Sequence, residues 1–249
     1  MEINIAETHI RLQTDIMNHD LESYIRSIRA DLKRYMASNP DFLHSFTPLE
    51  SDDENLTPIV SKMYESSNLC DVGPMACVAG TISEMTLDYL MALGSKKSIV
   101  ENGGDIALVN DRTVLCGIYS GNEILGNDIA FKIPKRKSSL GICTSSGKIG
   151  HSISFGAADS VTVISKSASI SDGLATRIAN EVKGDDSEDG VVSAAETAEE
   201  FRELFDGALI ICADNVATVG RLPKIVETDK FEVNKIYRLI DVINSVIYF

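Results

Sequence analysis

A long helix followed directly by a tight turn between strands is the feature that most limits how this chain folds. Gly73-Pro74 opens an apolar run of helical spacing that ends at Gly94, and proline is favoured in the first turn of a helix. Short strands follow on both sides of the turn Asn102-Gly103-Gly104-Asp105. Hairpins in succession join antiparallel neighbours. This region therefore predicts an α+β fold in which helices pack on a mostly antiparallel sheet.

The other elements are predicted from the spacing of apolar residues. Apolar and polar residues alternate over 3–15, which predicts a half-buried strand or hairpin. Apolar residues have helical spacing over 20–38, and Asp20 is expected to be the N-cap of that helix. Asp172 is expected to begin a helix over 172–183, and residues 1–249 are expected to form one unit. Further strands are expected at 98–101, 106–109, 114–119, 129–133, 140–143, 160–165 and 208–213, and a helix at 233–249, with a strand at its end as the alternative.

Charge and cysteine content restrict the partners and the compartment. Thirty-seven acids and 23 bases give a net charge of −14, which disfavours nucleic acid and anionic membrane surfaces as partners. The five cysteines form no CxxC pair and have mostly apolar neighbours, which indicates buried thiols in a reducing compartment. No signal peptide and no spanning apolar run are recognisable. We therefore expect a cytoplasmic protein.

Several common catalytic and nucleotide-binding motifs are absent. No GxGxxG follows a strand, and residues 141–149 (GICTSSGKI) miss the phosphate-loop glycine spacing by one residue and lack the hydroxyl after the lysine. No HExxH occurs, and residues 150–154 (GHSIS) lack the second glycine of a nucleophile elbow. A nucleotide would have to be held in another way.

The turn at 102–105 is the first candidate binding segment. Its two glycines permit positive φ or the close approach of a bulky ligand. Asn102 and Asp105 could then hydrogen-bond a sugar or a ring edge. The alternative interpretation is an ordinary hairpin turn.

Residues 144–151 are the second candidate. Successive N–H groups in Thr144-Ser145-Ser146-Gly147 could cradle a phosphate, and His151 could donate to it or relay a proton. The alternative is a surface loop with a solvated histidine.

Asp172 and Thr176 are the third candidate. Positions i and i+4 share one helix face, so a carboxylate and a hydroxyl point the same way. Two hard oxygens of this kind suit Mg²⁺ beside a phosphate. The alternative is that Asp172 only caps its own helix.

Together, in this order, the motifs resemble those of the ApbE-like superfamily, whose best-known members are FAD:protein FMN transferases. The chain is most similar to a short cytoplasmic branch, and the resemblance covers about residues 73–182. Residues 73–80 stand at the glycine-containing helix start, 102–105 at the Asn-x-Gly-Gly-acid turn, 144–147 at the Thr-Ser-Gly segment and 172–176 at the Asp-Ala-x-x-Thr segment. The resemblance implies a single ApbE-like α+β unit that binds a small-molecule nucleotide, FAD or FMN, with Mg²⁺.

The resemblance also implies roles for individual residues. Asp172 and Thr176 would hold Mg²⁺, and His151 and Asp172 would be the catalytic residues. The flavin nucleotide would be bound by Gly73, Met75, Ala76, Asn102, Gly103, Gly104, Asp105, Ser145, Ser146 and Gly147. The reaction would be Mg²⁺-dependent cleavage of the pyrophosphate or FMN transfer. A homodimer is common for sheets with exposed edges.

Two departures from the transferase pattern keep alternatives open. Ala79-Gly80 stands where the transferases carry Lys-Gly, and a long His-Ile-x-Asp-Pro-x-Thr-Gly segment is contracted to residues 151–156. One alternative is a non-catalytic ligand-binding or assembly protein that kept the fold. Another is an enzyme for a non-flavin substrate that uses Cys70, Cys77 or Cys143, against the simpler expectation that these are core thiols.

Overall fold

Two β-sheets and a layer of helices make up the architecture. The computed structural model describes residues 1–118, 128–147, 156–183, 187–229 and the backbone of 246–247. The described strands are β1 (Glu2–Ile5), β2 (Thr8–Thr14), β3 (Ser98–Asn102), β4 (Asp105–Asn110), β5 (Val114–Gly117), β6 (Ile129–Ile133), β7 (Arg136–Ser145), β8 (Ser160–Ser165), β9 (Gly207–Cys212), β10 (Asn215–Gly220), β11 (Lys224–Glu227) and β12 (Val246–Ile247). The larger sheet has the order β1-β2-β3-β4-β7-β8-β9-β10 and is antiparallel throughout. The smaller has the order β11-β6-β5-β12, with β12 parallel to β5.

Six α-helices and two 3₁₀ turns occur in the described residues. The α-helices are α1 (Leu21–Ser38), α2 (Pro40–His44), α3 (Pro58–Cys70), α4 (Val78–Ala92), α5 (Ala168–Ala179) and α6 (Ser187–Glu200), and the 3₁₀ turns are Pro74–Cys77 and Arg202–Leu204. Every helix in this part of the chain is too short or too polar to span a bilayer.

The larger sheet is covered on both faces, and this places the core. Side chains such as Val100 and Cys143 pack against α1, α3 and α4 on one face. Side chains such as Ile106 and Ile142 pack against Phe131 of the smaller sheet on the other face. Alternation along each strand sends neighbouring side chains to opposite faces. The predicted α+β fold is confirmed, with a second sheet that the sequence did not predict.

The helix boundaries differ from the prediction in three places. The helix expected from residue 74 begins as a 3₁₀ turn and becomes α-helical only at Val78. Asp20 precedes α1 but makes no side-chain capping bond. The prediction that Asp172 begins its helix was wrong: α5 starts at Ala168, because the Ser167 side chain caps it by accepting from the N–H of Ile170 (3.3 Å).

The strands are longer and more numerous than predicted. Residues 3–15 form the β1–β2 hairpin, and β7 extends through Thr144 and Ser145, which were predicted to lie in a loop. The strands β10 and β11 were not predicted. Residues 246–247 are a strand, as in the alternative for the C-terminal segment, while 230–245 lie outside the described residues.

Candidate functional site

The turn at 102–105 is a two-residue hairpin connection between β3 and β4. Gly103 and Gly104 have φ values of 67° and 104°, a conformation that glycine adopts without steric cost. An added Cβ at either position would meet no atom within 4 Å. Backbone conformation, not packing, therefore requires these glycines. Their contact with a ligand stays a prediction.

The polar residues that flank the turn connect it to the neighbouring elements. The Asn102 Nδ2 donates to the carbonyl of Ala79 in α4 (3.3 Å), and its Oδ1 accepts from the N–H of His9 (3.2 Å). The Asp105 Oδ1 accepts from the N–H of Thr144 in β7 (3.3 Å). Both side chains are buried. The turn is thus held against the amino end of α4 and the end of β7.

Asp172 caps a helix other than its own. Its Oδ2 accepts a hydrogen bond from the N–H of Gly80 (2.8 Å), the third residue of α4. The first N–H groups of a helix have no partner within the helix, and the positive end of the helix dipole favours a carboxylate. This contact brings α5 to the same helix end that Asn102 contacts.

Glu84 provides the matching contact in the opposite direction. Its Oε2 accepts from the N–H of Ser169 (2.9 Å) and from the hydroxyl of Ser167 (2.6 Å), both at the start of α5. Its Oε1 accepts from Lys62 Nζ (2.6 Å). Each of the two packed helices therefore gives a carboxylate to the amino end of the other. We call this arrangement the reciprocal cap.

Gly80 allows the two helices to approach closely. An added Cβ would lie 2.7 Å from the Cβ of Asp172 and closer still to the carbonyl oxygen of Ala168. We expect Gly80→Ala to destabilise the fold by about 2 kcal/mol, because a backbone atom stands in the way and the helices must separate. Urea unfolding measures this.

Gly190→Ala is the matched control for that substitution. Gly190 lies in α6, and its added Cβ would come to 3.0 Å from Cγ1 of Val182, a side-chain atom and not a backbone atom. Higher helix propensity should leave this variant equal to or slightly more stable than the parent. Equal stability of Gly80→Ala and Gly190→Ala would contradict the steric argument.

Two neighbouring carboxylates dominate the electrostatics of the site. Burial raises the pKa of Asp172 to about 7, and part of this residue remains accessible to solvent. Burial and then the charge of Asp172 raise the pKa of Asp105 well above its usual range. In the described part of the chain no lysine or arginine forms an ion pair with either carboxyl; Lys62 pairs with Glu84, and Arg177 pairs with Asp71 and Glu181. The raised pKa values favour the protonated carboxyls, and a bound cation would shift both toward their charged forms.

Glu101 is a third buried carboxyl, beside the turn but on the other face of β3. Its Oε1 accepts from the N–H of Gly104 (2.8 Å), and its Oε2 lies 3.5 Å from Arg11 Nε. Burial raises the pKa of Glu101, and Arg11 opposes this shift. Because the pKa of Glu101 is higher in the folded than in the unfolded protein, folding stability decreases as the pH rises from the unfolded pKa through the folded pKa.

We therefore expect Glu101→Gln to stabilise the protein increasingly as pH rises above about 4.5, the ordinary glutamate pKa. Glutamine keeps an acceptor for Gly104 and removes the buried charge. Urea unfolding of both proteins at pH 5 and pH 8 measures the widening gap. Glu50→Gln, at an exposed position, controls for the change in net charge. A gap that stays constant with pH would contradict this account.

The three cysteines near the site lie in the core. Added at Gly173, a Cβ would lie 2.7 Å and 2.9 Å from the Sγ atoms of Cys77 and Cys70, so both thiols pack against that glycine. The Cys143 thiol donates to the carbonyl of Ala168 (3.2 Å), and burial raises its pKa. All five cysteines are buried and free, as the simpler sequence interpretation expected. Protonated core thiols are poor nucleophiles.

Four further residues that were predicted to belong to the site lie in or beside the helices: Gly73, Met75, Ala76 and Thr176. Gly73 packs against the backbone carbonyl of Ser45, and Met75 and Ala76 lie half-buried in the following 3₁₀ turn. Thr176 is half-buried one turn after Asp172. Their roles stay predictions.

The segment after β7 is only partly described. Ser145 is buried at the end of the strand, and the N–H of Gly147 donates to the carbonyl of Ala158 (3.0 Å). That N–H is already used within the fold. Ser145, Ser146 and Gly147 as ligand contacts stay a prediction, and His151 lies outside the described residues.

Sequence reasoning missed Glu84, whose carboxylate orders the start of α5. The available signal was its position as the one charged residue within the run 75–87. A buried acid in such a run needs a partner, because an unpaired buried charge is costly. The partners at Ser167 and Ser169 are too distant in sequence to be inferred.

The fold has solved counterparts. It matches the flavin transferase ApbE from Vibrio cholerae, an H257G mutant, with a TM-score of 0.55 and 15% identity over 88% of this chain and 96% of that chain. It matches the apo flavinyl transferase ApbE of Pseudomonas stutzeri with a TM-score of 0.54 and 14% identity over 92% and 94%. At this identity the likeness shows the fold alone, and that fold is ApbE-like.

Sequence comparison then gives the family. The family model described as AbpE bacteria matches residues 1–217, and the chain belongs to that family. It is 58% identical over 231 residues to a UPF0280 protein of Methanobrevibacter smithii, covering 93% of this chain and 97% of the relative. It is 46% identical over 228 residues to a UPF0280 protein of Methanothermobacter thermautotrophicus, covering 92% and 88%. The resemblance stated from the motifs is confirmed.

Proposed function

We propose that the chain binds a flavin nucleotide, FAD or FMN, together with Mg²⁺, where the turn at 102–105, the amino end of α4 and the helix α5 meet. The observation that carries this proposal is the pair of contacts at that helix end. Asn102 bonds Ala79 and Asp172 bonds Gly80, so segments far apart in sequence converge at two adjacent residues. The ApbE-like fold supports a flavin as the ligand.

The donor set fits Mg²⁺. A carboxylate has about four acceptor positions, so the bond to Gly80 leaves Asp172 capacity for a cation. Thr176 adds a hydroxyl on the same helix face one turn later. A divalent cation between protein and phosphate would stabilise the charged forms of Asp105 and Asp172, whose pKa values burial raises, and hard oxygen ligands suit Mg²⁺. When bound, Mg²⁺ would neutralise charge on the pyrophosphate.

The chain's own residues would orient the nucleotide around that cation. The open space beside Gly103 and Gly104 lets a ligand approach the turn backbone. In this proposal His151 donates a hydrogen bond or a proton, and Asp172 positions the metal. The nucleotide-contacting set is Gly73, Met75, Ala76, Asn102, Gly103, Gly104, Asp105, Ser145, Ser146 and Gly147. The proposed reaction is cleavage or transfer at the pyrophosphate. The proposed compartment is the cytoplasm, and residues 1–249 are proposed to form one unit.

A second candidate function is ligand binding without turnover. It is favoured by the alanine at position 79, where the transferases carry lysine, and by the contracted segment at 151–156. The carbonyl of Ala79 is already bonded to Asn102, so this residue serves the fold. On this account the site keeps its ligand and lacks the reaction.

Calorimetric titration tests the binding proposal. FAD and FMN are titrated into the purified protein in MgCl₂ and, separately, in EDTA. We expect at least one of them to bind, and to bind more tightly with Mg²⁺. Failure of both at millimolar ligand removes the proposal. A homodimer stays a prediction that light scattering on the same samples measures.

Product analysis distinguishes the two candidates. Incubation of the protein with FAD and MgCl₂, followed by chromatography, measures AMP release. Release that Asp172→Ala abolishes supports pyrophosphate cleavage. Mg²⁺-dependent binding without any release supports the non-catalytic candidate.

A further inference from the structure

A groove between α6 and β10, the strand at the end of the larger sheet, is not used by the proposed function. It has a volume of about 480 Å³ and runs between α6 and β10. Val191, Val192 and Ala195 of α6 and residues 215–219 of β10 line it. Its floor is thus mainly apolar, and the side chains of Val192 and Val216 are each about half exposed.

The strand that borders the groove is the outermost one of the larger sheet in the described residues. It pairs with β9 on one side only. An edge strand presents unpaired backbone N–H and C=O groups, which an extended segment can complete by adding a further strand. The side chains of such a segment would alternate between the α6 side and the opposite side.

The rim of the groove is acidic. Glu196 and Glu199 lie exposed on α6 above the apolar floor. Within the described residues neither forms an ion pair, and residues 184–207 hold nine acids and one base. A second copy of this chain would bring an equally acidic groove and a net charge of −14, so self-pairing here is disfavoured.

We propose that this groove, defined by α6 and the edge of β10 that has no partner strand among the described residues, docks an extended segment of another protein that presents both basic and apolar residues on one face. Backbone hydrogen bonds to β10 would hold the segment, and apolar side chains on the face toward α6 would cover Val192 and Ala195. Lysines or arginines on that same face, two residues along the segment, would approach Glu196 and Glu199. The charge of the rim selects a basic partner, and the strand edge selects an extended one.

Fluorescence anisotropy on the full-length protein tests the proposal with a labelled ten-residue peptide of repeated Val-Thr-Lys-Thr, which places valine and lysine on one face of a strand and is called the lysine–valine peptide. We expect binding that weakens about tenfold between 50 and 300 mM NaCl, because exposed charges are screened. The same peptide with glutamate in place of lysine should not bind. A lysine–valine peptide with two central prolines should bind poorly, because proline removes N–H donors from a ladder.

Two surface variants separate docking from unspecific charge attraction. Glu196→Lys combined with Glu199→Lys should weaken binding of the lysine–valine peptide about tenfold or more, and the neutral Val192→Asn should also weaken it. Glu22→Lys combined with Glu50→Lys changes net charge equally at other exposed positions and should leave affinity within about twofold. Equal binding of the proline peptide, equal loss in both charge variants, or a dimer that Val192→Asn dissociates would overturn the proposal.

Discussion

Glu84→Ala is expected to destabilise the fold by about 3 kcal/mol. The substitution removes the acceptor for the N–H of Ser169 and the hydroxyl of Ser167, and it leaves the partly buried ammonium of Lys62 without its partner. Loss of one member of a buried pair and of a helix cap each has a substantial cost. Urea unfolding at pH 7 measures the change in free energy.

Two further variants show whether the reciprocal cap is the cause. Glu84→Gln keeps an acceptor oxygen for Ser169 and should lose less stability than Glu84→Ala. Asp88→Ala removes an exposed acid one turn later in α4 and should change stability by less than about 0.5 kcal/mol. If Glu84→Ala were no worse than Asp88→Ala, the cap would contribute nothing.

Asp172→Asn is expected to abolish the Mg²⁺ dependence of FAD binding while the protein stays folded. Asparagine still offers an oxygen to the N–H of Gly80, but it carries no charge for a cation. We expect FAD affinity in MgCl₂ to fall about tenfold or more, to the value measured in EDTA. Calorimetry gives the affinity, and circular dichroism checks the fold.

The neighbouring hydroxyl and an acid outside the site provide the comparison. Thr176→Val removes the second oxygen at nearly constant volume and should weaken the Mg²⁺ effect in the same direction. Glu22→Gln, at an exposed position of α1, should preserve the Mg²⁺ effect. Unchanged Mg²⁺ dependence in Asp172→Asn would show that this carboxylate has a structural role only.

Local patterns predicted much of the fold. The apolar run after Gly73-Pro74, the turn at 102–105 and β-branched runs such as 160–165 were identified from neighbouring residues alone. These features depend on backbone conformation and on alternation within a few residues. The strand β10 escaped prediction because its residues alternate weakly and half of them face solvent.

The sequence allowed the segments that form the candidate site to be predicted, but not the hydrogen bonds between them. Asp172 was recognised as a helix residue, yet its bond to Gly80 joins positions 92 residues apart. The start of α5 depends on Glu84, 85 residues before Ser169. A cap that another helix supplies leaves no signal in the sequence beside the helix start, so the predicted start at Asp172 lay four residues after the observed start at Ala168.

Every residue of β4, β8 and β9 is buried, between the helices on one face and the smaller sheet on the other. Amide hydrogens in such strands exchange with deuterium mainly through global unfolding, whereas strand ends open locally. The turn at Gly103 and the bend at Gly147 lie at the ends of strands in this sheet. A ligand bound there would slow amide exchange in the turn and the bend and leave the exchange rates at the strand centres unchanged. The buried strands would then not rearrange on binding.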